Sequence, residues 1–372
     1  MTCKMVKICL SAIVKNESKI IRRYLDDAKF ALDYVCITDT GSTDETVKLI
    51  EEWGKENNIP TTVCTDKWKN FEYNRTNSVS NSFKAYPDAD YLILLDADMR
   101  LENHGFDKEK LSHDCYLVDQ YSPQIKYGNI RLISNKRDWF YKGVTHEFVT
   151  CSGPQYTEGI CSTLLINDVG DGGCKDDKFE RDKRLLHEAL RTIHPNDPLR
   201  ERYFFYLAQS YFDTGNYSKA IKYYRERLTC EGYPSERWYS RFRIGLSLER
   251  LDRWNEAENE LLEAYQMMPS RCESLVALAE HYIFAKTPQH HKAGLLIPRL
   301  QEMRTEPNTD RLFNYEHYKR YYIDYLTSIS AFYTKQLDTG REACQRLLSL
   351  PHIPDNIRRN AETNIKFYTT SV

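Results

Sequence analysis

The sequence lacks three features that mark common classes of protein. Its 52 Lys and Arg residues nearly balance 54 Asp and Glu residues, so no overall positive field attracts nucleic acid or an anionic membrane. No segment reaches the ~18 consecutive apolar residues of a transmembrane helix. The eleven cysteines include no CxxC pair, which argues against a zinc site and thioredoxin-like chemistry. Because scattered cysteines in odd number are typical of reduced thiols, we predict a cytoplasmic protein. The balanced charge predicts that it does not bind nucleic acid.

The first half of the sequence alternates apolar runs with amphipathic stretches. The runs VKICLSAIV, YVCITD, TTVCTD and YLILLD read as strands, and they are separated by the helical patterns SKIIRRYLDDAKFAL, STDETVKLIEEWGKEN and YNRTNSVSNSFKAY. This βαβαβαβ order predicts an α/β domain with a mostly parallel sheet. We assign it to residues 1–178, and residues 179–372 to a second, helical domain.

The second half is helical from about residue 180 and contains an internal repeat. Two segments place small residues equivalently, Ala208 with Gly245 and Ala220 with Ala257, and both pairs are offset by 37 residues. Small residues at such positions let paired helices cross closely. The pattern resembles the tetratricopeptide repeat, whose period is about 34 residues. An ordinary helical bundle without a repeat is the alternative.

Short, mostly polar segments lie at the ends of the predicted strands of the first half. They are Val14–Glu17, Asp39–Ser42, Asp66 and Asp96–Asp98. Ligands of such sheets bind beyond the carboxyl ends of the strands, so these residues are expected to line one crevice. Asp96 and Asp98, one residue apart after a buried strand, suit a Mg²⁺ or Mn²⁺ ion that also contacts substrate phosphates. Acidic residues that merely cap the next turn are the alternative.

Several segments together carry a resemblance to a known family. LSAIVKNES, CITDTGSTDET, YNRTNS and LILLDADM resemble family 2 glycosyltransferases of the GT-A fold, in the subgroup with C-terminal tetratricopeptide repeats. IRLISNKRDWFYKGVTHEFV and DVGDGGCKDDKFERD are similar to later segments of that subgroup. The resemblance implies metal-assisted transfer of a sugar, usually with inversion, from a nucleotide-diphosphate donor, with a UDP-sugar as first candidate.

The resemblance also implies roles for individual residues. Asp98 would be the main metal ligand, and Asp96 would bridge the metal to ribose or water. Asp39 would face the base or ribose, unless it only caps the turn that follows. Arg75 would offer its planar fork to the nucleotide or to Asp96, unless it is a surface arginine. The remaining donor contacts are assigned to Val14, Asn16, Glu17 and Ala97, with Glu17 also a candidate cap of the next helix.

Inverting displacement needs a base that takes the acceptor proton, and VTHEF supplies two candidates. In a strand His146 and Glu147 would point to opposite faces unless a bend intervenes. We assign Glu147 as the base and His146 as a metal or phosphate contact. The glycine-rich stretch that follows lacks the histidine that many GT-A enzymes present there, so His146, Asp168 and Asp171 stay open as the third metal ligand.

Two further groups of residues near this site have alternative interpretations. Lys175 or Lys178 could pair with phosphate, or their segment is only an interdomain linker. Trp139, in RDWFYKG, has two possible roles. Its ring stacks on the sugar or the acceptor, or it packs in the core.

The helical domain is expected to hold a partner. A glycan, peptide or protein acceptor, or a second copy of the chain, would fit the concave surface of a repeat array. Two other functions remain open. A nucleotidyltransferase also uses paired carboxylates, although IVKNESKIIRR lacks the glycine-rich loop that it usually needs. A non-catalytic repeat scaffold with a vestigial α/β domain is the other.

Overall fold

The chain forms two compact units, residues 1–199 and 200–372. The computed structural model describes residues 5–122, 126–172, 178–307 and 312–369. The division falls after residue 199 rather than at the predicted 178, because the helix Lys178–Thr192 packs within the first unit. There the Arg181 guanidinium lies 5.0 Å from the ring centre of Phe71.

In its described residues, the first unit contains ten strands and four α-helices. The strands are β1 Ile8–Val14, β2 Tyr34–Asp39, β3 Thr61–Thr65, β4 Tyr91–Leu94, β5 Met99–Asn103, β6 Cys115–Tyr121, β7 Lys126–Ser134, β8 Trp139–Lys142, β9 Phe148–Cys151 and β10 Glu158–Asp168. The helices are α1 Ile21–Ala28, α2 Thr46–Asn57, α3 Phe71–Ala85 and α4 Lys178–Thr192. The predicted βαβαβαβ order is thus present from β1 to β4.

Eight strands form one sheet in the order β3-β2-β1-β4-β7-β6-β10-β5, and β8 pairs with β9 separately. Strands β3, β2, β1 and β4 are parallel, as predicted. The sheet as a whole is mixed, since β7 runs antiparallel to β4 and β6, and β5 antiparallel to β10. Because β1 lies between β2 and β4, the strand order reverses there, and this is where open α/β sheets bind ligands.

Helix α3 approaches the centre of this sheet closely because small polar residues face it. Ser82 Oγ donates to Ser11 Oγ of β1 at 2.9 Å, and Ser78 Oγ donates to the carbonyl of Ala12 at 3.0 Å. These buried hydroxyls satisfy one another, so a helix with few large apolar residues still packs on the sheet. The fit brings Arg75, on the first turns of α3, to the sheet edge.

The second unit contains nine α-helices in its described residues. They are α5 Leu199–Asp213, α6 Tyr217–Thr229, α7 Pro234–Arg250, α8 Trp254–Met267, α9 Glu273–Phe284, α10 His290–Thr305, α11 Ile323–Tyr333, α12 Leu337–Ser349 and α13 Asp355–Thr369. The four small residues of the predicted repeat are buried. Among the described residues, no helix of the chain combines the length and apolarity needed to cross a membrane.

Gly245 sits where α7 crosses α8, and a Cβ atom there would lie 2.7 Å from Leu261 Cγ. We expect Gly245→Val to lower the free energy of unfolding by about 1–3 kcal/mol, because the added atoms force the helices apart. Urea denaturation followed by fluorescence of Trp238 and Trp254 measures this change. Lys222→Val, on the exposed face of α6, controls for the helix propensity of valine. Equal losses in the two variants would contradict the close crossing.

Candidate functional site

Loops after β1 and β2 are tied together at the carboxyl edge of the sheet. Asn16 has a left-handed backbone with a φ of 57°, a conformation that asparagine tolerates better than most residues. Its Oδ1 accepts a hydrogen bond from the Thr43 N–H at 2.7 Å, and its own N–H donates to Ser42 Oγ at 2.9 Å. The carbonyl of Val14 accepts from the Thr40 N–H at 2.9 Å. Both residues therefore shape the loop pair through local contacts.

Asp39 ends β2 and accepts from the N–H groups of the turn that follows. Its Oδ2 lies 3.1 Å from the nitrogens of both Gly41 and Ser42. This is the turn-capping alternative considered for Asp39, and it is compatible with a ligand at the same edge. Asp66, at the end of β3, accepts from the side-chain amides of Asn74 and Asn77 at 3.1 and 2.9 Å.

A partly buried ion-pair group joins three of the predicted site residues. Arg75 Nη1 lies 2.5 Å from Asp96 Oδ1, and Arg75 Nε lies 2.5 Å from Glu147 Oε1. A second guanidinium, that of Arg131 in β7, lies 3.7 Å from Asp96 Oδ2. A cavity of about 100 Å³ opens between these side chains and Tyr141. Residues far apart in sequence therefore converge on one small space.

Charge within this group is balanced at close range. Burial alone would raise the pKa of Asp96, but Arg75 and Arg131 outweigh it and hold that pKa below its ordinary value. Burial alone would lower the pKa of Arg75, yet the carboxylates of Asp96 and Glu147 raise it well above the usual value. Burial raises the pKa of Tyr141 to about 12, so its hydroxyl stays protonated. Asp96 is therefore an anion and Arg75 a cation at neutral pH.

His146 and Glu147 point to different surroundings because the chain bends there. Residues 143–147 are not in a strand, Gly143 has a φ of 110° and His146 one of 51°. The segment VTHEF is therefore not a continuous strand, and a bend lets the two neighbouring side chains point in different directions. Glu147 reaches Arg75, whereas His146 Nε2 lies 3.9 Å from Asp182 Oδ2 on α4. Burial raises the pKa of that aspartate.

Asp98 and Glu17 approach each other beside Gly172. A Cβ atom built on Gly172 would lie 3.3 Å from Asp98 Oδ2 and 3.3 Å from Glu17 Oε1. The Asp98 carbonyl also accepts from the Gly170 N–H at 3.3 Å. Absence of a side chain at Gly172 thus keeps open a space between two carboxylates. Within the described ranges, no set of three or more His, Cys, Asp or Glu side chains is arranged as a complete metal site.

The other two candidates for a third metal ligand have partners of their own. Asp168 accepts from Gln120 Nε2 at 3.1 Å. Asp171 accepts two hydrogen bonds from Arg23, at 2.6 and 2.8 Å. Of the two predicted phosphate lysines, Lys178 begins α4, and Lys175 lies outside the described residues.

Sequence reasoning missed Arg131 and Gln120. Arg131 Nη2 donates to Gln120 Oε1 at 2.7 Å and its Nη1 to the Leu94 carbonyl at 3.3 Å. The signal was available, since a charged residue inside the apolar run IRLIS needs a buried partner. Trp139 is buried, and its indole N–H donates to the Ser134 carbonyl at 2.8 Å. Core packing is therefore the correct interpretation of Trp139, and Tyr141 lines the cavity instead.

Comparison with known proteins shows what part of this chain resembles. Residues 12–111 match the family described as Glycosyl transferase family 2. The SPbeta prophage-derived glycosyltransferase SunS of Bacillus subtilis is 24% identical over 245 residues, which cover 59% of this chain and 53% of that protein. A TPR repeat-containing protein of Synechococcus elongatus is 26% identical over 206 residues, covering 52% and 50%. This chain therefore spans about half the length of each relative.

Among solved structures, S. aureus TarS 1–349 in complex with UDP-GlcNAc matches 98% of this chain and 92% of its own at 10% identity, with a TM-score of 0.30. A score this low does not establish a shared fold. The sequence matches support the predicted resemblance to a family 2 glycosyltransferase segment combined with tetratricopeptide-like helices.

Proposed function

We propose that this protein transfers a sugar from a nucleotide-diphosphate donor, with a UDP-sugar as first candidate, to an acceptor with inversion. The observation that carries the proposal is the convergence of Asp96, Arg75 and Glu147 on one cavity. This cavity adjoins the carboxyl end of β4, and Asp96 lies within the matched family segment. Asp96 is a partly buried carboxylate whose pKa is held low by two guanidinium groups, and groups perturbed in this way cluster at functional sites.

In this proposal the loops after β1 and β2 hold the nucleotide, with Asn16 and Asp39 beside the base or ribose. Glu147 takes the proton of the acceptor as the acceptor atom attacks the anomeric carbon. The bond from that carbon to the diphosphate oxygen breaks, and the nucleoside diphosphate leaves with the bonding electrons. Arg75 holds the Glu147 carboxylate in place through the 2.5 Å contact.

The carboxylates beside Gly172 fit a hard divalent cation. Mg²⁺ is commonly bound by one or two carboxylates, with waters and substrate phosphates completing its ligands. Asp98 and Glu17 would hold such an ion, and a bound Mg²⁺ or Mn²⁺ would neutralise charge on the departing diphosphate. Asp96 is already paired with two guanidinium groups, so we give it the role of contacting ribose or metal-bound water. His146, next to Asp182, stays a candidate for phosphate or metal.

The first test is nucleotide binding. We expect one of UDP, GDP, CDP and dTDP to bind in the presence of Mn²⁺ or Mg²⁺ and to raise Tm in a thermal-shift assay. Asp98→Asn should lower that affinity by about tenfold or more, since it removes the anionic ligand of the cation. Calorimetry with metal and with chelator measures the loss.

The matched control is Asp338→Asn, which removes a carboxylate that is 81% exposed in the helical unit. Absence of binding by every nucleotide would contradict the proposal and favour the repeat scaffold. The nucleotidyltransferase would be favoured by a different result. The chain would then bind a nucleotide with metal, hydrolyse no nucleotide sugar, and transfer a nucleotidyl group to a sugar phosphate.

We propose further that the helical unit presents the acceptor, which would be a glycan, a peptide or a protein, or that it joins two copies of the chain. Tetratricopeptide-like arrays bind extended partners along their concave surface. The consecutive helices of this unit and the buried small residues of its predicted repeat support this role. Size-exclusion chromatography with light scattering separates the two alternatives.

A further inference from the structure

The helical unit contains an aromatic cavity that the proposed transferase function does not use. It has a volume of about 300 Å³ and lies among α9, the start of α11 and the start of α13. Its lining includes Glu280, His317, Tyr318, Tyr321, Tyr322 and Ile357. The three tyrosines are half-buried, so their rings are accessible from the cavity.

Irregular backbone positions these rings. Residues Tyr318–Tyr322 form a π-helical turn immediately before α11. Such turns are rare and occur frequently at functional sites, because they cost backbone energy that a regular helix avoids. The turn stacks the rings of Tyr318 and Tyr322 with centres 5.6 Å apart, while His317 packs against Tyr318 at 4.6 Å. An aromatic surface is thereby held in a fixed arrangement.

One carboxylate lies in the wall of this cavity. Glu280 Oε1 accepts a hydrogen bond from the Tyr322 hydroxyl at 2.9 Å. Burial raises the pKa of Glu280, an effect that the hydrogen bond and the field of Arg250 only partly oppose. In the described part of the chain, no Lys, Arg or His forms an ion pair with Glu280. The charge of this half-buried group is therefore compensated only in part.

The neighbouring histidine does not supply the missing cation. Burial lowers the pKa of His317, so its imidazole is neutral at neutral pH. Lys319 directs its ammonium to the Glu306 carbonyl at 2.9 Å, and Arg320 donates to the His352 carbonyl at 3.2 Å. Both basic side chains of the turn are thus engaged elsewhere.

We propose that this cavity binds the ammonium group of a lysine side chain presented by a peptide or protein. Aromatic faces attract cations through their ring quadrupoles, and a desolvated carboxylate adds a charge-assisted hydrogen bond. A volume of about 300 Å³ admits one such side chain with its apolar stem against the tyrosines. A sugar would stack on the same rings, but it would not neutralise Glu280. The site belongs to the helical unit and holds whether or not the first unit transfers sugars.

The probe is a fluorescein-labelled decapeptide of alternating glycine and lysine, titrated with the full-length chain and read by anisotropy. Glu280→Gln keeps an acceptor for Tyr322 but removes the charge, and we expect it to weaken binding by about tenfold. Glu316→Gln removes an exposed carboxylate of the same segment and should leave the affinity unchanged. The same peptide with acetylated lysines should bind the parent chain no better than the lysine peptide binds Glu280→Gln.

Stability supplies a second readout with the opposite sign. A carboxyl group whose pKa is raised by burial begins to destabilise the folded state as pH rises above the unfolded pKa, so Glu280 carries such a cost at neutral pH. Glu280→Gln is therefore expected to raise Tm by about 2–4 °C while it weakens binding. A residue kept only for structure would not show this exchange of stability for affinity.

Tyr321→Leu removes one ring without changing charge and should also weaken binding of the lysine peptide. Equal loss in Glu280→Gln and Glu316→Gln would reduce the effect to general electrostatic attraction and overturn the site. Equal binding of the acetylated peptide, or no binding of the lysine peptide at millimolar concentration, would overturn it as well. Binding of maltoheptaose in place of the lysine peptide would identify a sugar subsite instead.

Discussion

Glu147→Gln is expected to lower kcat for sugar transfer by about 10²–10⁴-fold, the usual contribution of a positioned general base. Glutamine keeps the size of the side chain and an oxygen that can accept from Arg75, so the cavity should retain its shape. Donor affinity is expected to stay within about twofold of the parent, because the lost function concerns the acceptor proton. Release of nucleoside diphosphate from the donor measures kcat, and calorimetry measures donor affinity.

Chemical rescue distinguishes a base from a residue that only holds its neighbours. Glu147→Ala leaves space at the cavity wall, and added formate should restore part of the transfer rate if the carboxylate takes a proton. Glu158→Gln, on the exposed surface of β10, is the matched control and should keep the parent rate. Loss of donor affinity by the same factor as kcat, without rescue, would show that Glu147 acts by fixing Arg75.

Much of the fold was predictable because local patterns determine it. Apolar runs such as YLILLD fill both faces of a buried strand, and the parallel order β3-β2-β1-β4 follows from helices that connect them. The repeat was also readable, since Gly245 and its equivalents must be small where helices cross. The boundary at residue 178 was not, because packing of α4 against Phe71 depends on contacts over long sequence separation.

Some features of the candidate site could also be predicted from the sequence, and others could not. Asp96 and Asp98 were predicted because a polar pair ends an apolar run, and Glu147 because VTHEF offers a carboxylate for the acceptor proton; their roles stay predictions. The pairing of Asp96 with Arg131 was not predicted, since it follows from the antiparallel insertion of β7 beside β4. The separation of Glu147 from His146 depends on a left-handed backbone at His146. The sequence indicates a turn there only through Gly143, three residues earlier, and does not specify the conformation of His146.

Arg75→Met should give the largest loss of stability among single substitutions at this site. It leaves Asp96 and Glu147 without their shared partner. Breaking a fully buried ion pair in this way costs about 3–5 kcal/mol, and we expect about 2–3 kcal/mol for this partly buried group. All three side chains are less than a quarter exposed, so solvent screening is limited. Urea denaturation at pH 7 measures the loss. Arg100→Met is the control, because its pair with Asp27 at 2.7 Å involves an arginine that is 48% exposed, and such pairs contribute about 0–1 kcal/mol.

The pH dependence of that loss follows from the sign of the Asp96 shift. A carboxyl group whose pKa is depressed in the folded state stabilises it fully above the unfolded pKa of about 3.9, and this contribution disappears as pH falls through the folded pKa. The difference between parent and Arg75→Met should therefore be largest at neutral pH and shrink toward acid pH, where Asp96 takes up a proton in the variant before it does in the parent. Adding Glu147→Gln to Arg75→Met removes one of those charges and should recover part of the stability, which a double-mutant cycle measures as coupling. A loss independent of pH and additive with Glu147→Gln would mean that Arg75 contributes through packing of its stem rather than through charge.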